Sequence, residues 1–151
     1  MDARATDRLI AVGETLHKTV RLSRDAIVAF AHMTDDSNPL HHDTLAAQRA
    51  HFGEIIASGQ QTASVLMGLL ASHFTRSTDG LKREMLCLNM NFAFKGPVFA
   101  DQELTLDWKV HTVQWNGKLR GMLAHLDGHA SVPPGRAAVV ARGTIVVKDG
   151  A

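Results

Sequence analysis

Between Ala57 and Phe74 the chain reads ASGQQTASVLMGLLASHF, and after Gln61 almost every residue is apolar or small. Ala63, Val65, Leu66, Met67, Leu69, Leu70 and Ala71 leave no continuous polar stripe. A helix of that kind is buried on most of its sides, so the stretch predicts a central core helix wrapped by a sheet. Ser58 is the predicted N-cap, its hydroxyl accepting from a first-turn amide. Gly68 lowers helix propensity by about 1 kcal/mol relative to Ala, which points to close packing there. The run is too short and too interrupted to span a membrane, which takes about 20 apolar residues.

Upstream, Thr15–Leu22 alternates weakly and predicts an edge strand. Ser23 caps a helix in which Ala26, Ile27, Phe30, Ala31 and Thr34 recur at helical spacing, with Asp25 in the first turn where a carboxylate suits the dipole. The polar cluster Thr34–Asn38 ends it, and Pro39 biases Asn38 away from α conformation. Asp43 caps a short helix, Thr44–Ala50, that ends before Gly53. Downstream the period becomes two. Met85–Phe94 places Leu86, Leu88, Met90, Phe92 and Phe94 on one face and Met85, Cys87, Asn89, Asn91 and Ala93 on the other.

Lys95-Gly96-Pro97 breaks that strand. Glu103–Val110 alternates again, then slips to Val113 and Trp115, which predicts a bulge. Asn116-Gly117 is the pair that favours a tight hairpin turn with φ > 0 at both positions. The return strand is read as Lys118–Leu126, followed by a loop at Asp127–Gly135 and a last strand at Ala137–Val147. Residues 1–9 and 148–151 are expected to be flexible. The order of elements gives an α+β domain with helices on one face of an antiparallel sheet.

At 151 residues the chain fits one domain with a sizeable core. A formal net charge of +1 with scattered Lys and Arg gives no basic field for nucleic acid. The lone Cys87 excludes an intrachain disulfide and fits a reducing compartment. Met1–Ile10 carries Asp2, Arg4, Asp7 and Arg8 without an apolar core, so no secretory signal is expected and the cytoplasm is the default.

Asp35-Asp36-Ser37-Asn38-Pro39-Leu40-His41-His42-Asp43 concentrates three carboxylates and two imidazoles in one loop. Asp, Ser, Asn and Pro are ordinary turn formers, and a plain interhelical loop accounts for the composition equally well. Two features favour chemistry. Pro39 stiffens a turn that sets Asp36 and His41 where both can converge on one small molecule, and a carboxylate and an imidazole sharing a water form an acid–base pair. The free amides at Gly59 can stabilise a developing oxyanion. Acid–base groups beside an oxyanion site are what addition of water next to a thioester carbonyl requires.

Asp36-Ser37-Asn38-Pro39-Leu40-His41-x-Asp43 resembles the D-x-N-P-L-H-x-D signature of the MaoC-like (R)-specific enoyl-CoA hydratases. Val12-Gly13-Glu14, Ile27-Val28-Ala29-Phe30-Ala31, Ile56-Ala57-Ser58-Gly59, Asn91–Phe99 and Asp101-Gln102-Glu103 also fall where that family has counterparts. The similarity covers about residues 10 to 110, and more loosely extends to 147. The resemblance implies a hot-dog fold, an antiparallel sheet wrapped around a long central helix, assembled as a homodimer or dimer of dimers. It implies a substrate carried as an acyl-CoA or acyl-carrier thioester, and no cofactor, because hydration moves no electrons.

Carried over by position, Asp36 and His41 activate the hydrating water and shuttle its proton to or from the α-carbon. The Gly59 amide binds the thioester oxygen, and Asn38 supports the loop. Ser58 and Gln60 stand at substrate-binding positions where many members have His and a bulky residue. Met67 stands where polyester-linked hydratases often have serine.

Other readings are open for some of these residues. His42 reads as a solvated loop residue, and Gln60 and Gln61 as either substrate contacts or solvated first-turn residues. Ser64 and Met67 read as core, and Cys87 as a packed thiol. His41, His42, Asp43 and His51 could be imagined around zinc, but adjacent histidines point apart and Asp43 is better used as a cap, so no metal is expected. A thioesterase on the same scaffold, directing water at the carbonyl carbon, is the alternative activity. An acyl-thioester-binding module without turnover is the non-enzymatic one.

Overall fold

A computed structural model describes residues 8–150. Five strands form one antiparallel sheet in the order β1-β3-β4-β5-β2, where β1 is Thr15–Arg21, β2 Arg83–Phe94, β3 Glu103–Asn116, β4 Gly121–Val132 and β5 Arg136–Asp149. Between β1 and β2 the chain makes α1 (Arg24–Met33), a 3₁₀ turn at Pro39–His41, α2 (Thr44–Arg49) and α3 (Gly59–Thr75). Every strand presents its inward residues to α3. Leu66, Leu70 and Phe74 of the helix are fully buried with Leu104, Leu106, Trp108 and Val110 of β3 and Ala124, Leu126 and Ala130 of β4. The Trp108 indole Nε1 donates to the Leu66 carbonyl at 2.8 Å, so the largest core ring meets its polar requirement on the helix backbone.

The caps are where the sequence places them. Ser23 Oγ accepts from Ala26, Asp43 Oδ1 from Leu45 and Ala46, and Ser58 Oγ from Gln61. The β3 bulge lies between Val110 and Thr112. The sheet and its central helix are as expected, with several corrections. The central helix is buried along one side only: Ser64, Gly68, Ala71 and Ser72 are exposed, and nothing lies within 4 Å of a Cβ built at Gly68. Small residues look apolar to a periodicity count but carry too little surface to require burial, so the close-packing role for Gly68 and the core role for Ser64 do not hold.

In β2 a register shift between Cys87 and Asn89 inverts the phase. Met85, Met90 and Phe92 pack on the core, whereas Leu86, Leu88 and Phe94 are exposed. Cys87 is also exposed rather than packed. The β3–β4 connection is four residues, 117–120, rather than a tight Asn116-Gly117 turn. Asn116 stays paired with Gly121, its Oδ1 accepts from Leu119, and the left-handed residue is Arg120 at φ 52°.

The expected loop at Asp127–Gly135 is strand as far as Val132. Gly128 and Ala130 disguise the alternation. Both are inward positions; Gly128 is kept small by the Trp108 ring, from which a Cβ there would sit 2.6 Å. Leu9 and Ile10 are buried and Lys148 and Asp149 belong to β5, so these are not loose ends. Residues 1–7 and 151 lie outside the described residues.

Candidate active site

Backbone hydrogen bonds bring the acidic loop to the start of α3. The Ile56 amide donates to Leu40 O at 3.1 Å and the Ala57 amide to Val98 O at 2.8 Å. From the other side, Arg24 of α1 grips Glu54 through both carboxylate oxygens at 2.7 Å. The Ile55 amide bonds the same carboxylate and, with Arg24, holds its pKa below the ordinary value against the opposing effect of partial burial. The first turn of α3 is tied to α1 as well, since Gln61 Nε2 donates to Ala26 O at 3.2 Å.

Within the loop, Asp36 Oδ1 accepts from the Asn38 amide at 3.0 Å and Asn38 Oδ1 accepts from the Leu40 amide at 3.2 Å. Asp35, at φ 53°, makes the turn out of α1. These contacts leave Asp36 Oδ2 directed at His41. The imidazole is buried, with its Nδ1 2.8 Å from the Ile56 carbonyl oxygen. A carbonyl only accepts, so Nδ1 carries a proton, and in the neutral form of the ring the lone pair is on Nε2. Nε2 is 3.6 Å from Asp36 Oδ2. That separation is too long for a direct hydrogen bond and leaves both groups free to bond one further oxygen seated beside the pair.

Asp36, Asn38, His41, Ser58, Gly59 and Gln60 all line one cleft of about 560 Å³. The expected site residues therefore converge. Their surroundings differ: Ser58 is buried and its Oγ accepts from the Gln61 amide, whereas Gln60 is exposed at the mouth. Gln61 is buried rather than solvated. His42 is exposed, lies 3.3 Å from Ser37 O and stacks on His32. With Asp43 capping α2, His41, His42 and Asp43 are directed to three different partners. Two contributors escaped the sequence reading. The Ile56 carbonyl fixes the His41 tautomer, and Phe94 to Val98 form the far wall of the cleft. The spacing of Lys95-Gly96-Pro97 signals only a strand break, because its contact with the site is made across the fold.

A second basin of similar volume lies on the outer face of the sheet, lined by His111, His125, Asp127, Arg142 and Thr144. These five side chains are paired among themselves. Asp127 accepts from His111 at 2.6 Å and Arg142 at 3.2 Å, and Thr144 bonds His125 at 2.9 Å.

The family model described as a MaoC like domain matches residues 10–123. The chain belongs to the MaoC-like family. An (R)-specific enoyl-CoA hydratase of Aeromonas caviae is 30% identical over 101 residues, covering 67% of this chain and 71% of the relative. A mitochondrial 3-hydroxyacyl-[acyl-carrier-protein] dehydratase of Solanum lycopersicum is 26% identical over 100 residues, 66% of this chain; the match spans 56% of that protein's length. The solved structure of an (R)-hydratase from A. caviae involved in PHA biosynthesis superposes with a TM-score of 0.77 at 26% identity, covering 90% of this chain and 96% of that one. The sheet and helix of the MaoC-like chain are thus a hot-dog fold.

Proposed function

We propose that this MaoC-like protein interconverts a trans-2-enoyl thioester and the (R)-3-hydroxyacyl thioester. The observation that carries the reading is the pairing of the Asp36 carboxylate with the His41 lone pair, 3.6 Å apart in the cleft that Gly59 opens onto. In the hydration direction, water bonded by both groups gives its oxygen to the β-carbon. The pair accepts the released proton and returns it to the α-carbon. Gly59, the first residue of α3, offers its amide to the thioester oxygen as that oxygen gains enolate character, and the positive end of the helix adds to the effect. Dehydration is the same path reversed. Asn38 holds the loop in register, and Gln60 stands where the acyl chain or its carrier enters. The Aeromonas relative is an enoyl-CoA hydratase and the Solanum relative a 3-hydroxyacyl-[acyl-carrier-protein] dehydratase, which supports the thioester class.

No helix among the described residues is long and apolar enough to cross a membrane. A cytoplasmic homodimer, or dimer of dimers, is the form proposed; association is supported by the exposed Leu86 and Leu88 of edge strand β2. Incubation with crotonyl-CoA and longer enoyl-CoAs tests the activity. The conjugated thioester absorbance falls while free thiol stays constant. Unchanged absorbance across chain lengths refutes the reading, and release of thiol would instead assign a thioesterase.

A further inference from the structure

Gly59 opens α3 without a left-handed φ, so backbone conformation does not require glycine there. Space does. A Cβ at position 59 would lie 2.6 Å from both Cδ1 and Cε1 of Phe94 and 3.2 Å from Cγ. The ring therefore sits against the Cα of the first helical residue. Phe94 is the last residue of β2, held in register opposite Val139, and both side chains line the cleft. Its other side is open, and the residue is 59% exposed. A large ring left this exposed gains little from burial, yet it is seated on Gly59, whose amide is the proposed donor to the thioester oxygen.

We infer that Phe94 is the wall of the oxyanion pocket. It flanks the thioester bound at the Gly59 amide and keeps water off that hydrogen bond, and it is the reason position 59 carries no side chain. The inference rests on the hydration reading for its catalytic part. An amide that stabilises a developing negative charge is worth more where water is excluded, because the local dielectric is lower. The charge grows only as the enolate forms, so the ring acts on turnover more than on ground-state binding.

The test compares wild type, Phe94→Ala, Gly59→Ala and the double variant by kcat and KM on crotonyl-CoA and by thermal midpoint. Phe94→Ala lowers kcat about ten-fold, a fraction of the 10²- to 10³-fold that losing a whole oxyanion donor costs, and moves KM by less. Gly59→Ala drives the ring off its seat and lowers kcat at least as far. In the double variant the new methyl has nothing to strike, so the losses do not add: its kcat stays within about three-fold of Phe94→Ala. Wild-type kcat in Phe94→Ala, or losses that multiply in the double variant, overturns the inference. If the wild type hydrates nothing, the hydration reading fails by itself. The steric part is then decided by the melts, where Gly59→Ala lowers the midpoint and Phe94→Ala removes that penalty if the ring is the obstacle. Additive midpoint losses overturn it.

Discussion

Replacing Asp36 by Asn is the sharpest perturbation of this site, because it changes chemistry while preserving shape. The Asp36 side chain is 19% exposed and accepts one internal hydrogen bond, from the Asn38 amide to Oδ1. An Asn carbonyl oxygen accepts the same bond. The amide nitrogen then occupies the place of Oδ2, 3.6 Å from His41 Nε2, where it donates instead of accepting. The pair keeps its spacing and loses the carboxylate acceptor. Removing a positioned acid–base group costs roughly 10²- to 10⁴-fold, or about 3–5 kcal/mol of activation free energy.

Stability changes much less. No buried contact is deleted, so the unfolding free energy stays within about 1 kcal/mol of wild type. His41→Ala is a poorer test, since it also strips the Ile56 carbonyl of its 2.8 Å partner and opens a cavity. The assay follows the conjugated thioester absorbance at saturating enoyl-CoA, alongside a urea melt. An Asp36→Asn protein that folds normally and turns over within about three-fold of wild type would remove the carboxylate from the mechanism and leave His41 to act alone.

Three further outcomes follow from the packing and electrostatics. Ser58→Ala removes the Oγ that accepts from the Gln61 amide and lowers the thermal midpoint by about 2–4 °C, the effect of an N-cap worth about 1 kcal/mol in a chain of this size; an unchanged midpoint would mean that water replaces the cap. Gly128→Ala puts a methyl 2.6 Å from the buried Trp108 ring and destabilises by about 1–3 kcal/mol in denaturant melts, whereas a neutral result would show that the indole can shift despite its bond to Leu66. Stability falls on acidification. Glu54 is lowered by the Ile55 amide and Arg24, and Asp127, although partial burial raises it, is lowered on balance by His111 and Arg142. Both titrate lower folded than unfolded, so their contribution is complete above the ordinary carboxylate pKa and is lost as pH falls through the depressed folded values. Thermal midpoints measured from neutral pH into the acid range show a shallower decline in Glu54→Gln and Asp127→Asn than in wild type; parallel curves would refute the assignment.

The features legible in the sequence were those whose causes lie within a few residues. The caps Ser23, Asp43 and Ser58 each close on an amide two or three positions away, and the Asp36–Leu40 turn is held by Asp36 and Asn38 accepting from amides two residues on. The β3 bulge was visible as a slip in alternation, because that strand is bulky and inward-facing for most of its length. Where residues were small, hydropathy misled: Gly128 and Ala130 concealed the end of β4, and the Ala, Ser and Gly positions of α3 imitated a buried face.

By itself, then, the sequence determined the order of elements, the position of the central helix and the loop that supplies Asp36 and His41. Short-range hydrogen bonds and the alternation of large side chains are enough to specify these. Only the tertiary structure decided what those groups do. The His41 tautomer depends on the Ile56 carbonyl fifteen residues away, the phase of β2 depends on a bulge set by its pairing with β5, and the wall over Gly59 comes from Phe94 at the far end of another element. Such contacts join segments that have no local preference for one another, and they form only because burying Leu66, Leu70, Phe74 and Trp108 together forces the helix and the sheet into one register.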